Sequence, residues 1–230
     1  MFANKRLSKA LAECIGTFLL ALVVLSVSKS SLGLPYFVSL AAGVVLAAMT
    51  LLFGRVSGAQ LNPAITVGLY ALKKLSAATA LLYVAAQLVG AALAGYLSTY
   101  LSGQRFLSGT HFSLKLLVAE AVGTFLFALA WAAVVYQQLE VRQAAALVGL
   151  SFPLALLAVS SAGAATLNPA VALALHSWFW GSSVLGPLVG AVVGFNLYRS
   201  VFAPAGTEKG TSRDSGARAK PEAVSSRRTA

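Results

Sequence analysis

Apolar residues in this chain run in long blocks with little polar punctuation between them. Six blocks are long enough to cross a ~30 Å hydrocarbon core at about 20 residues each. They cover residues 8–28, 36–54, 79–101, 115–136, 143–160 and 182–202. The pattern predicts an all-α membrane protein with six transmembrane helices. The first block follows Lys5, Arg6 and Lys9, as a secretory signal would. It is too long for one, Glu13 interrupts it, and no small-x-small cleavage pattern follows. Two further apolar stretches, 64–72 and 170–178, reach less than half way across a bilayer at 1.5 Å per residue. They read as half-helices.

Each half-helix opens on the same four residues. Leu61-Asn62-Pro63-Ala64 returns as Leu167-Asn168-Pro169-Ala170, 106 residues later. Ala12-Glu13-Cys14-Ile15-Gly16-Thr17-Phe18-Leu19 returns as Ala119-Glu120-Ala121-Val122-Gly123-Thr124-Phe125-Leu126 at an offset of 107. Gln87-Leu88-Val89-Gly90-Ala91 resembles Pro187-Leu188-Val189-Gly190-Ala191 at an offset of 100. The landmarks keep their order and define two halves, about 7–101 and 114–202. Three spans per half is an odd number, so the second half enters the membrane upside down relative to the first. That is an inverted repeat about an axis in the membrane plane. The two Asn-Pro-Ala motifs then approach the midplane from opposite faces. The loops before them, 57–61 and 162–167, consist mostly of small residues. Irregular backbone at that depth is tolerated only where it is buried in protein or faces a watery cavity.

Asn is among the best N-cap residues, and its side-chain oxygen accepts from an amide of the first turn. Pro suits the first helical position, where its missing N–H would be orphaned anyway. Asn62-Pro63 and Asn168-Pro169 therefore read as paired cap and first-turn residues. If the oxygen caps, the side-chain NH2 is left over. Two such amides and two helix N-termini, each carrying roughly half a positive charge, would meet at the midplane. A cation there is repelled, a neutral polar solute can accept hydrogen bonds, and a water so held is poorly oriented to pass on a proton.

Composition sharpens this picture. Of 230 residues 58% are hydrophobic and 10% charged, against roughly a quarter charged in soluble domains. Mean hydropathy is +0.82. The formal charge of +11 raises the possibility of nucleic-acid binding, but the positions of the bases argue for membrane orientation instead. With six spans, fourteen Lys and Arg fall on the side of the termini and only Lys29, Arg105 and Lys115 on the other. The positive-inside rule places both termini in the cytoplasm. Charge bias and short loops suit a bacterial inner membrane. Segment 203–230 is basic, poor in large apolar residues and expected to be a disordered cytoplasmic tail. The single Cys14 excludes an intrachain disulfide. His111 and His176 are too isolated for a metal site, and Trp178, Phe179 and Trp180 fit an interfacial aromatic belt. No nucleophile–base pair appears, so an enzyme has no support.

The paired Leu-Asn-Pro-Ala motifs, the two Ala-Glu-x-x-Gly-Thr-Phe-Leu copies, Ser57-Gly58-Ala59-Gln60, Gln87-Leu88-Val89-Gly90-Ala91 and Gly186-Pro187-Leu188-Val189-Gly190 resemble the aquaporin/glyceroporin family of major intrinsic proteins. The resemblance covers about 7–202 and implies an aquaporin-like channel domain over 1–202. It implies a right-handed bundle of six transmembrane helices with two re-entrant half-helices, one pore per subunit and a homotetramer in the lipid bilayer. It further implies passive flux of water and small neutral solutes, with no cofactor. By the same resemblance Glu13 and Glu120 would support the re-entrant loops, and Gly16, Gly90, Gly123 and Gly190 would mark close helix packing. Carried over by position, the outer selectivity constriction would consist of Ala42, Leu156, Ala165 and Val171, with Ala155 as the alternative to Leu156.

Val171 is the large departure, because the family nearly always has Arg there. A guanidinium donates hydrogen bonds to solute oxygens and repels cations; Val171 does neither. With Ala42 and Ala165 also small, a wider and more apolar constriction is expected, suited to glycerol, urea and undissociated metalloid acids such as arsenite. Some bacterial glyceroporin-like channels linked to arsenic handling look similar at this Val. Ala172 stands where glycerol channels often carry Asp, so the usual markers do not decide. A strict water channel with a drifted filter is the alternative. Other classes are a secondary active transporter, which also uses inverted repeats and broken helices, and a closed structural membrane protein.

Overall fold

The computed structural model describes residues 5–30, 33–103, 112–163 and 165–204. Arg105, His111 and the predicted tail beyond residue 204 lie outside the described residues. The chain is helical, in the order α1 (Lys5–Lys29), α2 (Pro35–Phe53), α3 (Pro63–Ala71), α4 (Ala77–Ser102), α5 (Leu114–Tyr136), α6 (Val141–Ala158), α7 (Pro169–Ala174) and α8 (Gly186–Leu197). A 3₁₀ turn at Ser160–Ala162 follows α6, and wider π turns, Trp180–Leu185 and Tyr198–Phe202, flank α8. Counting those turns with α8, six helices are long and apolar enough to cross a membrane, and α3 and α7 are the two short ones.

Local chemistry sets the ends. Pro35, Pro63 and Pro169 begin α2, α3 and α7, where a missing N–H costs nothing. The Ser76 hydroxyl accepts from the Thr79 amide at 3.2 Å and starts α4, and Ser113 does the same for α5 through Leu116. Gly103 takes a left-handed conformation, φ 66°, to end α4. Both half-helices close on the same turn. Lys73 and His176 are left-handed, and the next amide in each, Lys74 and Ser177, reaches back to Leu69 and Ala172. In α7 this closure comes earlier than in α3. The helix expected over 170–178 therefore ends at Ala174, and Trp178 and Phe179 lie in the connection to the last span.

The repeat is visible in the packing. A Cβ on Gly90 would collide with the Cys14 carbonyl oxygen of α1, and one on Gly190 with the Ala121 carbonyl oxygen of α5. Cys14 and Ala121 are themselves repeat partners. The Leu61 side chain sits on Gly16, and that of Leu167 on Gly123. Where α2 crosses α6, Gly43 and Gly149 face one another across the axis that relates the halves. Absent side chains bring backbones close enough for dispersion to hold the helices, which apolar burial alone cannot do in lipid. The pattern of a soluble protein is reversed. Leu81, Leu93, Tyr96, Leu150, Leu154 and Val193 are exposed on the outside, whereas Glu13, Gln87, Asn62, Glu120 and Asn168 are buried inside.

Candidate functional site

The two half-helices meet N-terminus to N-terminus through their asparagines. The Asn62 Oδ1 accepts from the Ala64 amide at 2.9 Å, and the Asn168 Oδ1 from the Ala170 amide at 3.0 Å, so both residues cap as their sequence suggests. Their NH2 groups are not wholly left over. The Asn62 Nδ2 donates to the Leu167 carbonyl at 2.8 Å, and the Asn168 Nδ2 donates to the Leu61 carbonyl at 2.9 Å. Each loop is thus tied to the other by one amide hydrogen, and each amide retains one. Leu61 and Leu167 point their carbonyls this way because both are left-handed, φ 50° and 54°. That conformation costs roughly 1–2 kcal/mol for a residue with a Cβ, and the lacing together with the seat of each leucine on a glycine holds it.

Glu13 and Glu120 stand behind the loops and hold the backbone that no helix satisfies. Glu13 accepts from Ser57 Oγ at 2.6 Å, from the amides of Gln60 at 3.1 Å and Leu61 at 2.8 Å, and from Gln87 Nε2 at 2.8 Å. Glu120 accepts from the amides of Thr166 and Leu167 at 2.8 and 2.7 Å and from the Thr166 hydroxyl at 3.0 Å. Gln60 and Thr166, and Leu61 and Leu167, are repeat partners, so each carboxylate serves the same two amides of its own half. The halves differ in their side-chain donors: Ser57 and Gln87 serve Glu13, whereas the Thr166 hydroxyl serves Glu120. Gln87 extends the first network to Thr66 at 2.9 Å, and Pro187 takes its place in the second half.

Two cavities flank this junction. One, of about 400 Å³ and called outer after the orientation expected from the charge bias, lies between the end of α1, the start of α2 and the end of α6. Ala42, Leu156, Ala165 and Val171 all line it, so the four residues expected at the constriction share one cavity. Ala155 is packed in the core and does not line this cavity. The inner cavity, of about 370 Å³, lies at the opposite ends of α2 and α6. Its lining repeats that of the outer. Thr50 corresponds to Leu156, Gln60 to Thr166, Leu69 to Leu175 and Trp131 to Val24. Ile65, three residues past Asn62, corresponds to Val171, so the position is aliphatic in both half-helices. Sequence reading passes over Trp131, Thr50 and Phe152 as wall residues. Projecting the expected constriction residue Leu156 through the repeat offset would have found Thr50 but not Trp131, whose partner Val24 only the structure places in the lining.

A model of the major intrinsic protein family matches residues 2–198. Aquaporin Z of Photorhabdus laumondii is 32% identical over 231 aligned positions, covering 86% of this chain and 98% of that protein. Human aquaporin-4 is 31% identical over 186 positions, covering 73% of this chain and 56% of that protein. Among solved structures, the aquaglyceroporin from Plasmodium falciparum superposes with a TM-score of 0.71 at 22% identity, over 85% of this chain and 96% of that one. At that identity the likeness shows the fold alone.

Proposed function

The chain belongs to the major intrinsic protein family of membrane channels, and from that premise we propose a passive pore for water and small uncharged solutes, glycerol, urea and metalloid acids such as arsenite among them, that excludes ions and protons. The observation that carries this reading is the junction of the two capped half-helix N-termini, cross-laced and flanked by a cavity on each side. The one amide hydrogen that Asn62 and Asn168 each retain is available to a solute oxygen. Two helix N-termini disfavour a cation there and favour the oxygen end of a dipole. Among the described residues the outer cavity has aliphatic, aromatic and hydroxyl walls and no ionised side chain. That surface rejects charge by desolvation and asks little hydrogen bonding of a compact polyol or hydroxy acid. Val171 and Ala165, both small, are the reason to extend the cargo beyond water.

Within this reading the pores assemble as a homotetramer in a bacterial inner membrane with both termini cytoplasmic, which the excess of basic residues on the inner side supports. Ion-coupled transport would need a carboxylate free to bind the coupling ion. Glu13 and Glu120 are instead occupied by loop amides and hydroxyls.

The test is stopped-flow light scattering on proteoliposomes of the purified chain, with water, glycerol, urea and arsenite in turn. Flux of all four above empty liposomes, linear in concentration and indifferent to a pH gradient, is expected. Flux of water alone would restore the strict water channel. Saturation with proton dependence would identify a transporter, and no flux a closed structural protein.

A further inference from the structure

We propose that Lys74 is a specificity-determining residue of the pore, a fixed positive charge in the inner cavity that performs the cation exclusion that Val171 cannot perform at the outer one. The proposal rests on the pore reading above and concerns the opposite mouth.

The two cavities match through the repeat in shape and differ in charge. Among the described residues nothing that lines the outer cavity is ionised. Lys74 lines the inner one and is the only charged side chain to do so among the described residues. Its backbone is fixed, because the Lys74 amide closes the last turn of α3 on the Leu69 carbonyl at 2.9 Å. Its side chain is half-buried, and Nζ lies 5.0 Å from the centre of the Tyr136 ring. The ring quadrupole attracts an ammonium held over the aromatic face and so helps to fix its position. The platform is itself braced. Tyr136 is buried and stacks on Tyr198 at 6.0 Å, and Gln137 Nε2 donates to the Tyr198 hydroxyl at 2.7 Å.

Among the described residues no carboxylate lines this cavity. Glu140, at the start of α6 between the lining residues Leu139 and Val141, is exposed and belongs to a capping box with Gln143. Arg55, Lys73 and Arg142, each next to a lining residue in sequence, are exposed around the same mouth and share its sign. A cation entering from this side meets the exposed cations, which salt screens over about 8–10 Å. It then meets Lys74 between low-dielectric walls, where screening is weaker. Among the described residues the outer cavity has no lining charge, and Lys29, next to its lining residue Ser28, is turned to Ser98 and Ser102 instead. The repeat supplies no counterpart charge either, because Ser177, whose amide closes α7 as that of Lys74 closes α3, is uncharged.

The experiment measures the ratio of potassium to water permeability in proteoliposomes for the wild-type chain and for Lys74→Gln, Lys74→Glu and Lys74→Arg. Potassium entry is read with an internal fluorescent indicator and water by stopped flow. The ratio is expected to rise roughly tenfold in Lys74→Glu, less in Lys74→Gln, and to stay at the wild-type value in Lys74→Arg; the rise should persist in 0.3 M salt, where the ~5–6 Å Debye length silences exposed charges. An unchanged ratio in Lys74→Glu, with water flux present, overturns the assignment and leaves the pore reading intact. Absence of water flux in the wild-type chain overturns both. Equal rises in Lys74→Arg and Lys74→Glu would mean that packing rather than charge is at work, and would also overturn it.

Discussion

At the scale of single residues, the site is built from polar side chains that satisfy backbone first, and the two asparagine amides alone keep a hydrogen over. Asn62 and Asn168 spend the oxygen on a cap and one hydrogen on the opposite loop. Glu13 and Glu120 spend their oxygens on amides and hydroxyls that would otherwise be orphaned at membrane depth. Burial without partners would cost each of those amides about 1–3 kcal/mol, which is why a carboxylate is tolerated in a transmembrane helix at all. Val171 is different, since its side chain has no polar group. Val171→Arg would place a guanidinium fork in the outer cavity. Glycerol and arsenite flux should fall roughly tenfold relative to water, on the order of 1.4 kcal/mol of barrier. Stopped-flow measurement of the glycerol-to-water ratio checks this, and an unchanged ratio would show that Val171 is not at the constriction. The cap roles were legible in the dipeptide Asn-Pro itself. The cross-lacing was not, because its acceptors, Leu61 and Leu167, lie 107 and 105 residues from the donors in sequence.

At the scale of elements, close approach replaces hydrophobic burial as the organising force. The six spans were readable from apolar block length, since a bilayer accepts little else. Their pairing was partly readable from Gly90 and Gly190, each inside a repeated motif. That these glycines face the carbonyls of Cys14 and Ala121 was not, because hydrophobic blocks this uniform do not say which face points inward. Gly190→Leu should therefore separate α8 from α5. The expected cost is about 3 kcal/mol or more, the high end of overpacking, because the clash is with backbone rather than a movable side chain. Val193→Leu, on an exposed face of the same helix, is expected to be neutral. Thermal unfolding in detergent, followed by size-exclusion chromatography, compares the two; equal stability would show that α5 and α8 do not pack as described. The length of α7 was misread for a related reason. Its apolar run continues past Ala174, but the left-handed turn at His176 ends the helix first.

At the scale of the molecule, two copies of one motif close on each other and neither half is complete alone. Each half supplies the acceptor for the other's amide, so the two asparagines form one coupled unit. Asn62→Ala and Asn168→Ala should each remove a cap and a lace, while the second substitution costs less than the first. The expected coupling is about 0.5–3 kcal/mol, the range for residues of one hydrogen-bond network. Unfolding of the two single variants and the double variant measures it, and strict additivity would show that the halves are stabilised independently. The sequence by itself determined the membrane class, the six spans, the inverted repeat and the asparagine pair, because block length and duplication survive without any knowledge of contacts. The tertiary structure alone decided that Leu156 rather than Ala155 faces the outer cavity, that Trp131 and Thr50 wall the inner one, and that Lys74 lies within it over Tyr136. Those facts depend on rotation about a helix axis and on where a chain end comes to rest, and an apolar sequence read along one dimension encodes neither.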